Sequence, residues 1–329
     1  MPTALITGVA GQDGTLLSQM LLADGIEVVG LVKPGHDATE YRRYAPGASL
    51  VECDLGDADA VRRVVLETDP DEIYNLGGIS SIMESVNNPE LTERINVGAV
   101  DAILSAMREL HLRGRAPRLV QAASGTIFEG TETSPQDEFT ERAPKTPYAV
   151  AKAESMRRID IERSQRGLFA CAAILYNHES PLRGRQFVTR RITEGAARIA
   201  AGLQDVLELG NLDVSRDWGW APEYVSGMRL MAQADRPHDY VLATGESHEL
   251  LEFIELAFKA AGIEAWRDVI RSSDNLRRHT DPTLMRGDSH RAASELGWRR
   301  THTFAQIAQE MVTYDQLLLA HPDAVWHEQ

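Results

Sequence analysis

Short unbroken apolar runs, separated by stretches with helical periodicity, fill the first half of the chain and restrict what it can fold into. TALIT leads into a helix predicted from Gln12 to Ala23, and IEVVGLV follows. SLVEC precedes a helical stretch from Asp57 to Glu67, and DEIYNL precedes a pattern that reads as one helix from Pro89 to Leu110. PRLVQAA, a loop, a helix through Tyr148 and LFACAAILY complete the alternation. Strands apolar on both faces need cover on both faces, and strands of this kind joined through helices run parallel. The expected fold is α/β: a Rossmann-like doubly wound parallel sheet with a smaller, mostly helical C-terminal domain.

The texture changes after Tyr176. NHESPLRGRQFVTRR is polar and rich in arginine, a helix is predicted from Ile192 to Ala201, and the strand-like YVLAT is expected to return to the main sheet. From Ser247 onward the pattern is helical and ends in an exposed tail. The chain therefore divides into a dinucleotide-binding domain, 1–176, to which 222–245 returns, and a substrate domain, 177–329.

Charge narrows the partners. A net charge of -15 over 329 residues argues against nucleic acid or an anionic membrane surface, yet leaves room for a phosphate ligand held by a few arginines. The N-terminus lacks the basic and apolar regions of an export signal, and no apolar run reaches spanning length, so a cytoplasmic location is expected. Cys53 and Cys171 stand alone in apolar segments and read as buried reduced thiols. The histidines show no ligand spacing, so no metal is expected.

Gly8, Gly11 and Gly14 in TALITGVAGQDG, with Gln12 and Asp13 between them, sit where a strand turns into a helix. That position suits a pyrophosphate: tight turn, close backbone approach and a helix N-terminus facing the charge. A plain tight turn is the competing reading. An acid ending the second strand would bind the ribose hydroxyls of NAD, but that strand ends at Lys33 with no carboxylate. Arg42 and Arg43 follow in what reads as a solvated basic loop. NADP is thus favoured over NAD. Asp54 falls where such folds hold the adenine edge, or simply forms a turn; Leu55 and Leu76 are assigned to the same cofactor site.

TPYAVAK places Tyr148 and Lys152 four apart, on one face of a helix. The ammonium and the positive charge of an oxidised nicotinamide are expected to lower the phenol's pKa, making Tyr148 a proton acceptor near neutrality. Ser124 ends the preceding strand, within reach of the same hydroxyl. Together they form the triad pattern of the short-chain dehydrogenase/reductase class.

Over nearly its whole length the chain resembles the GDP-mannose 4,6-dehydratases, extended members of that class. The resemblance lies in TGVAGQDG, YNLGGISS, TPYAVAK, LYNHESPLRGRQFVTRRI, LGNLDVSRDWGWAPEYV and ATGESHELLEF. It implies a GDP-linked sugar as substrate, with Ser80, Asn177, Phe187, Val188, Thr189, Arg191, Asn211, Arg216 and Arg278 binding the nucleotide sugar. Arginine suits this, as a planar permanent charge for phosphate oxygens; a solvated basic face is the lesser, competing reading for Arg183, Arg185, Arg190 and Arg191. Asp217 and Trp218 are expected to brace the site. The resemblance also implies a homodimer burying the Pro89–Leu110 and Tyr148 helices. The loop after Lys33 is shorter than the family's, which argues against a tetramer built through it.

One position departs from the family. Its Thr-Ser-Glu run, whose Glu removes the C5 proton and helps expel the C6 hydroxyl, corresponds here to Ser124, Gly125 and Thr126. Losing such an acid/base costs about a hundredfold to ten-thousandfold. The Ser-small-Thr pattern resembles sugar 4-epimerases. Glu129 would point to the opposite face of an extended strand, and Glu179 lies in a segment the family shares. Three readings follow: a dehydratase acting on a C4-oxidised GDP-hexose, an epimerase or 4-keto reductase without dehydration, and a non-catalytic nucleotide-sugar sensor. The intact tyrosine and lysine argue against the last.

Overall fold

A computed structural model describes residues 1–272 and 285–327. Its centre is β1 (Thr3–Thr7), whose Ala4, Leu5 and Ile6 are completely buried, as a strand covered on both faces requires. Then come α1 (Gln12–Ala23), β2 (Glu27–Val32), α2 (Thr39–Tyr44), β3 (Ser49–Glu52) and α3 (Ala58–Thr68). The next elements are β4 (Glu72–Asn75), α4 (Ile82–Asn87), α5 (Pro89–Asn96), α6 (Gly98–Leu112), β5 (Arg118–Ala122), α7 (Pro147–Arg166) and β6 (Ala170–Leu175). The second half contributes β7 (Asn177–Glu179), α8 (Val188–Ala200), β8 (Leu207–Leu209), β9 (Ser215–Arg216), β10 (Trp218–Trp220), α9 (Ala221–Gln233) and β11 (Tyr240–Leu242). Last are β12 (His248–Glu249), α10 (Leu250–Ala260), β13 (Ile270–Ser272), α11 (His290–Leu296) and α12 (Phe304–Ala320).

Seven strands form one sheet in the order β11-β6-β5-β4-β1-β2-β3, and every pairing in it is parallel. The order reverses between β1 and β4. Ligands of open α/β sheets bind where the C-terminal ends of strands diverge at such a reversal. YVLAT does return to this sheet, as β11 beside β6. A separate core lies between α8, α10 and α12, built on Trp218, Trp220, Phe253, Phe258, Ile307 and Met311. No helix among the described residues is long and apolar enough to cross a membrane. Cys53 and Cys171 are buried and unpaired, and burial pushes both thiols up.

Several local expectations need correction. The single helix expected over Pro89–Leu110 is interrupted between α5 and α6 at Val97. Asn96 causes this: its side chain bonds both backbone groups of Ile79, and its carbonyl accepts from Ser155 Oγ (3.0 Å). The helix expected from Ile192 begins earlier, at Val188, with Phe187 at its N-cap. Arg42 and Arg43 lie on α2 and not in a loop; the Arg43 guanidinium donates to the carbonyls of Asp323 and Ala324. The tail is anchored too, with the Trp326 ring edge-on to Trp220 at 5.7 Å.

Candidate active site at the sheet's reversal point

The glycine turn sits at the reversal. Gly8 has φ +66°, and a Cβ there would lie 2.6 Å from Gly77 Cα, so two loops leaving adjacent strands touch backbone to backbone. A Cβ on Gly14 would lie 2.5 Å from Gly8 O, which fits α1 tightly under the turn. Gly11 is the N-cap of α1 at an ordinary φ, and its Cβ would meet only Gly8 O, at 3.2 Å. The result is a backbone cradle below a helix N-terminus, a shape and field suited to a dinucleotide pyrophosphate.

A buried polar chain runs from this turn to the lysine. Thr7 Oγ1 accepts from Gly77 N (2.9 Å) and donates to Asn75 Oδ1 (2.6 Å). Asn75 Nδ2 donates to Gln121 Oε1 (2.6 Å), and Gln121 Nε2 donates to Ala122 O (2.9 Å). Lys152 Nζ donates to the same carbonyl at 2.6 Å. Thr7 of β1, Asn75 of β4, and Gln121 and Ala122 of β5 thus supply the links at the C-terminal ends of their strands.

Thr146 caps α7 through its hydroxyl, Pro147 fills the first turn, and Tyr148 N donates to Ser85 Oγ (3.2 Å). Four residues on, Lys152 lies with Nζ 5.7 Å from the Tyr148 ring centroid. Burial pulls Lys152 down to about 8, against the opposing charge of Asp13. Burial raises the Tyr148 pKa, while the nearby Ser124 hydroxyl and the charge of Arg183 pull the other way without prevailing. The lysine's ammonium is aimed at Ala122 O and not at the phenol. Ser124 Oγ also accepts from Thr126 N (3.3 Å) and Thr126 Oγ1 (3.0 Å), so Ser124, Thr126 and Tyr148 share one cluster.

Residues 125–128 are not extended strand but a 3-10 turn, which overturns the face assigned to Glu129. Residues three apart share an edge of such a turn, so Glu129 is no longer assigned to the face opposite Thr126. Its carboxylate accepts from Lys145 N (3.3 Å) and Thr146 Oγ1 (3.3 and 3.5 Å), beside Tyr148.

The cofactor-edge residues divide. Lys33 is exposed at the end of β2, and Glu52 on the neighbouring strand accepts from Gly35 N (3.3 Å). Asp54 is exposed and closes a turn onto Gly56 N (2.9 Å). Leu55 Cδ1 and the Leu76 carbonyl carbon crowd the Gly77 and Gly8 contact. Gln12 and Asp13 turn toward β7: Gln12 Nε2 donates to His178 O (3.1 Å), Ser180 Oγ donates to Gln12 Oε1 (2.8 Å), and Asp13 pairs with His178 Nε2 (3.0 Å). Burial pushes the Asp13 carboxyl up, but His178 outweighs it and holds it below its ordinary value; burial pulls His178 down, and Asp13 outweighs that in turn.

Of the expected substrate residues, Ser80 is exposed beyond β4, and Asn177 is half-buried at the start of β7. Phe187 lies under the Arg183 guanidinium at 3.7 Å, and Val188 begins α8. Thr189 is buried, donating to Glu179 Oε2 (2.5 Å). Arg191 donates to Glu208 O (2.8 Å), Asn211 Oδ1 accepts from Asp213 N (3.1 Å), and Arg216 donates to Ser215 O (2.8 Å). Arg278 lies outside the described residues. Asp217, expected to brace the site, accepts from Thr244 N, Thr244 Oγ1, Gly245 N and Gly287 N.

The solvated-face reading of the arginine run fits Arg185, exposed and paired with Glu194 (3.2 Å). Arg190 is buried against Asp315. Arg183 pairs with buried Glu179 (3.2 Å) and acts on Tyr148, Asp13 and Glu179 together. His178 is absent from the expected site residues, and Arg183 stands among them only as one arginine of the run. The available signal was Glu179 and Arg183 four apart, beside a histidine on a short strand.

Fold and site define an NAD(P)-dependent sugar-nucleotide dehydratase/epimerase of the short-chain dehydrogenase/reductase class. The family model described as GDP-mannose 4,6 dehydratase matches residues 5–311, and the chain belongs to that family. It is 38% identical over 323 residues to GDP-mannose 4,6 dehydratase 1 of Arabidopsis thaliana, covering 95% of this chain and 89% of that protein. It is 39% identical over 337 residues to the GDP-mannose 4,6-dehydratase of Sinorhizobium fredii, covering 95% and 96%. The crystal structure of UDP-glucose 4-epimerase from Thermotoga maritima shares the fold with a TM-score of 0.84 at 19% identity, over 96% of this chain and 99% of that one.

Proposed function

We propose that the protein oxidises a GDP-hexose of the GDP-mannose type at C4 with NADP and carries it on to the 4-keto-6-deoxy sugar. The observation that carries this reading is the contiguous Ser124, Tyr148 and Lys152 cluster beside the glycine cradle. A bound nicotinamide supplies the hydride acceptor, and later the donor. Gly8, Gly11, Gln12, Asp13 and Gly14 hold its pyrophosphate, and Lys33, Asp54, Leu55 and Leu76 border its adenosine half. Exposed Lys33, with no carboxylate on its own strand end, supports NADP over NAD. Ser124 orients the C4 hydroxyl, and the proton passes to Tyr148 Oη. Lys152 steadies the phenolate that must form against the cost of burial. Ser80, Asn177, the Phe187–Thr189 segment, Arg191, Asn211, Arg216 and Arg278 surround the nucleotide sugar, and the second domain, 177–329, serves that end. A homodimer through α5, α6 and α7, in the cytoplasm, belongs to the same reading.

Thr126 favours a second reading, in which hydride returns to C4 with epimerisation or the protein works as a 4-keto reductase. Incubation with GDP-mannose and NADP separates the two. Dehydration gives a keto sugar that absorbs strongly in alkali; an alkali-silent epimer or no product sinks the dehydratase reading. Tyr148→Phe should lower turnover about a hundredfold or more while still binding NADP. Cofactor reduction at the parent rate in that variant would remove Tyr148 as the proton acceptor.

A further inference from the structure

A ketone at C4 acidifies the hydrogen on C5, and whatever follows oxidation needs a group to take that proton. The carboxylates around Tyr148 are unequally free to do so. Asp13 is held in its pair with His178. Glu179 is buried under Thr189 Oγ1 and Arg183. Glu129 is different: among the described residues it has no ion pair, and its bonds are to the uncharged Lys145 N and Thr146 Oγ1. It is half-buried, and burial pushes its carboxyl up, toward the range where one group can both take and return a proton. Its charge reaches Tyr148. The 3-10 turn does the rest. Ser124 caps the turn, Glu129 N donates back to Thr126 O (3.0 Å), and the i, i+3 repeat keeps Glu129 on the same edge of the turn as Thr126.

We infer that Glu129 is the general acid/base at C5 and C6, supplying from one 3-10 turn further along the carboxylate missing at position 126. The inference rests on the C4-oxidising function proposed above. In the step assigned to it, Glu129 takes the C5 proton and the C–H pair becomes the C5–C6 double bond. The C6–O bond breaks, and the carboxylic acid returns the proton to the departing hydroxide as water. Atoms and charge balance with no further reactant.

The test measures two quantities on one sample mixed with GDP-mannose and NADP in deuterated water: reduction of the cofactor, and deuterium incorporation at C5. Glu129→Gln keeps the oxygen that accepts from Lys145 N and Thr146. It should lower incorporation about a hundredfold to ten-thousandfold, with cofactor reduction changed less than about tenfold. Glu129→Asp retains a carboxyl and should keep part of the exchange, and Thr126→Glu placed on Glu129→Gln should restore it. Incorporation at the parent rate in a Glu129→Gln protein that binds NADP normally overturns the inference. So does parent protein that reduces the cofactor without C5 exchange, which leaves C4 oxidation standing. Parent protein that does neither removes the proposed function itself, and this inference with it.

Discussion

The carbonyl oxygen of Ala122 accepts from Lys152 Nζ at 2.6 Å and from Gln121 Nε2 at 2.9 Å. The lysine is therefore anchored to the end of the strand that also delivers Ser124. It is 6% exposed, so its charge is held at a cost, which is why its pKa falls to about 8.

That cost makes a stability prediction with a definite sign. The lysine's ordinary value is 10.5. Between about 8 and 10.5 the unfolded chain binds a proton that the folded chain has released, so this group makes stability rise with pH across that window. Below it, the folded state carries the full penalty. Lys152→Met, with Ala122 O still bonded by Gln121, should be about 1–3 kcal/mol more stable than the parent at pH 7 and inactive. The gap should close toward pH 10.5. Urea unfolding of both proteins across that range checks it; a gap that widens with pH would contradict a buried ammonium.

The glycine turn predicts a graded response. Gly8→Ala forces a side chain into a left-handed φ and against Gly77, and should cost about 2–5 kcal/mol and cofactor affinity. Gly11→Ala, at ordinary φ with a single near neighbour, should cost less than about 1 kcal/mol. Thermal unfolding and NADP titration of the two variants test the difference. Equal losses would mean that the backbone contact at Gly77 is not what requires glycine.

Arg190 and Asp315 join α8 to α12 with side chains 5% and 2% exposed. Asp315→Ala should destabilise the protein by about 3–5 kcal/mol, since it leaves a buried guanidinium unpaired. Replacing both residues with leucine should recover most of that loss. Denaturant midpoints of the single and double variants decide whether the pair is structural, as its depth implies, or serves a phosphate.

Much of this was legible because its causes are local. The runs TALIT, DEIYNL and PRLVQAA are apolar on both faces, and a strand of that kind has few places to go except the middle of a covered sheet. Tyr148 and Lys152 share a face because of helical spacing, and Thr146 with Pro147 marks where that helix begins. What misled was also local. Alternation along an extended strand assigned Glu129 to the wrong side, since nothing in GTIFEG announces a 3-10 turn. Periodicity ran Pro89 to Leu110 together, since Asn96 breaks the helix only by bonding to Ile79, seventeen residues away. Arg183 was one of several arginines in a run until the fold buried it against Glu179 and Phe187.

The sequence alone determined the class of fold, the glycine turn and the shared face of Tyr148 and Lys152, because each rests on short-range spacing and on which faces a segment must bury. Only the tertiary structure decided which charges are free. Asp13 is paired to His178, Arg190 to Asp315 and Arg43 to the C-terminal carbonyls, while Glu129, among the described residues, has no ion pair and lies beside Tyr148. Those assignments join residues far apart in the chain. Their energies depend on depth and distance, which spacing does not encode.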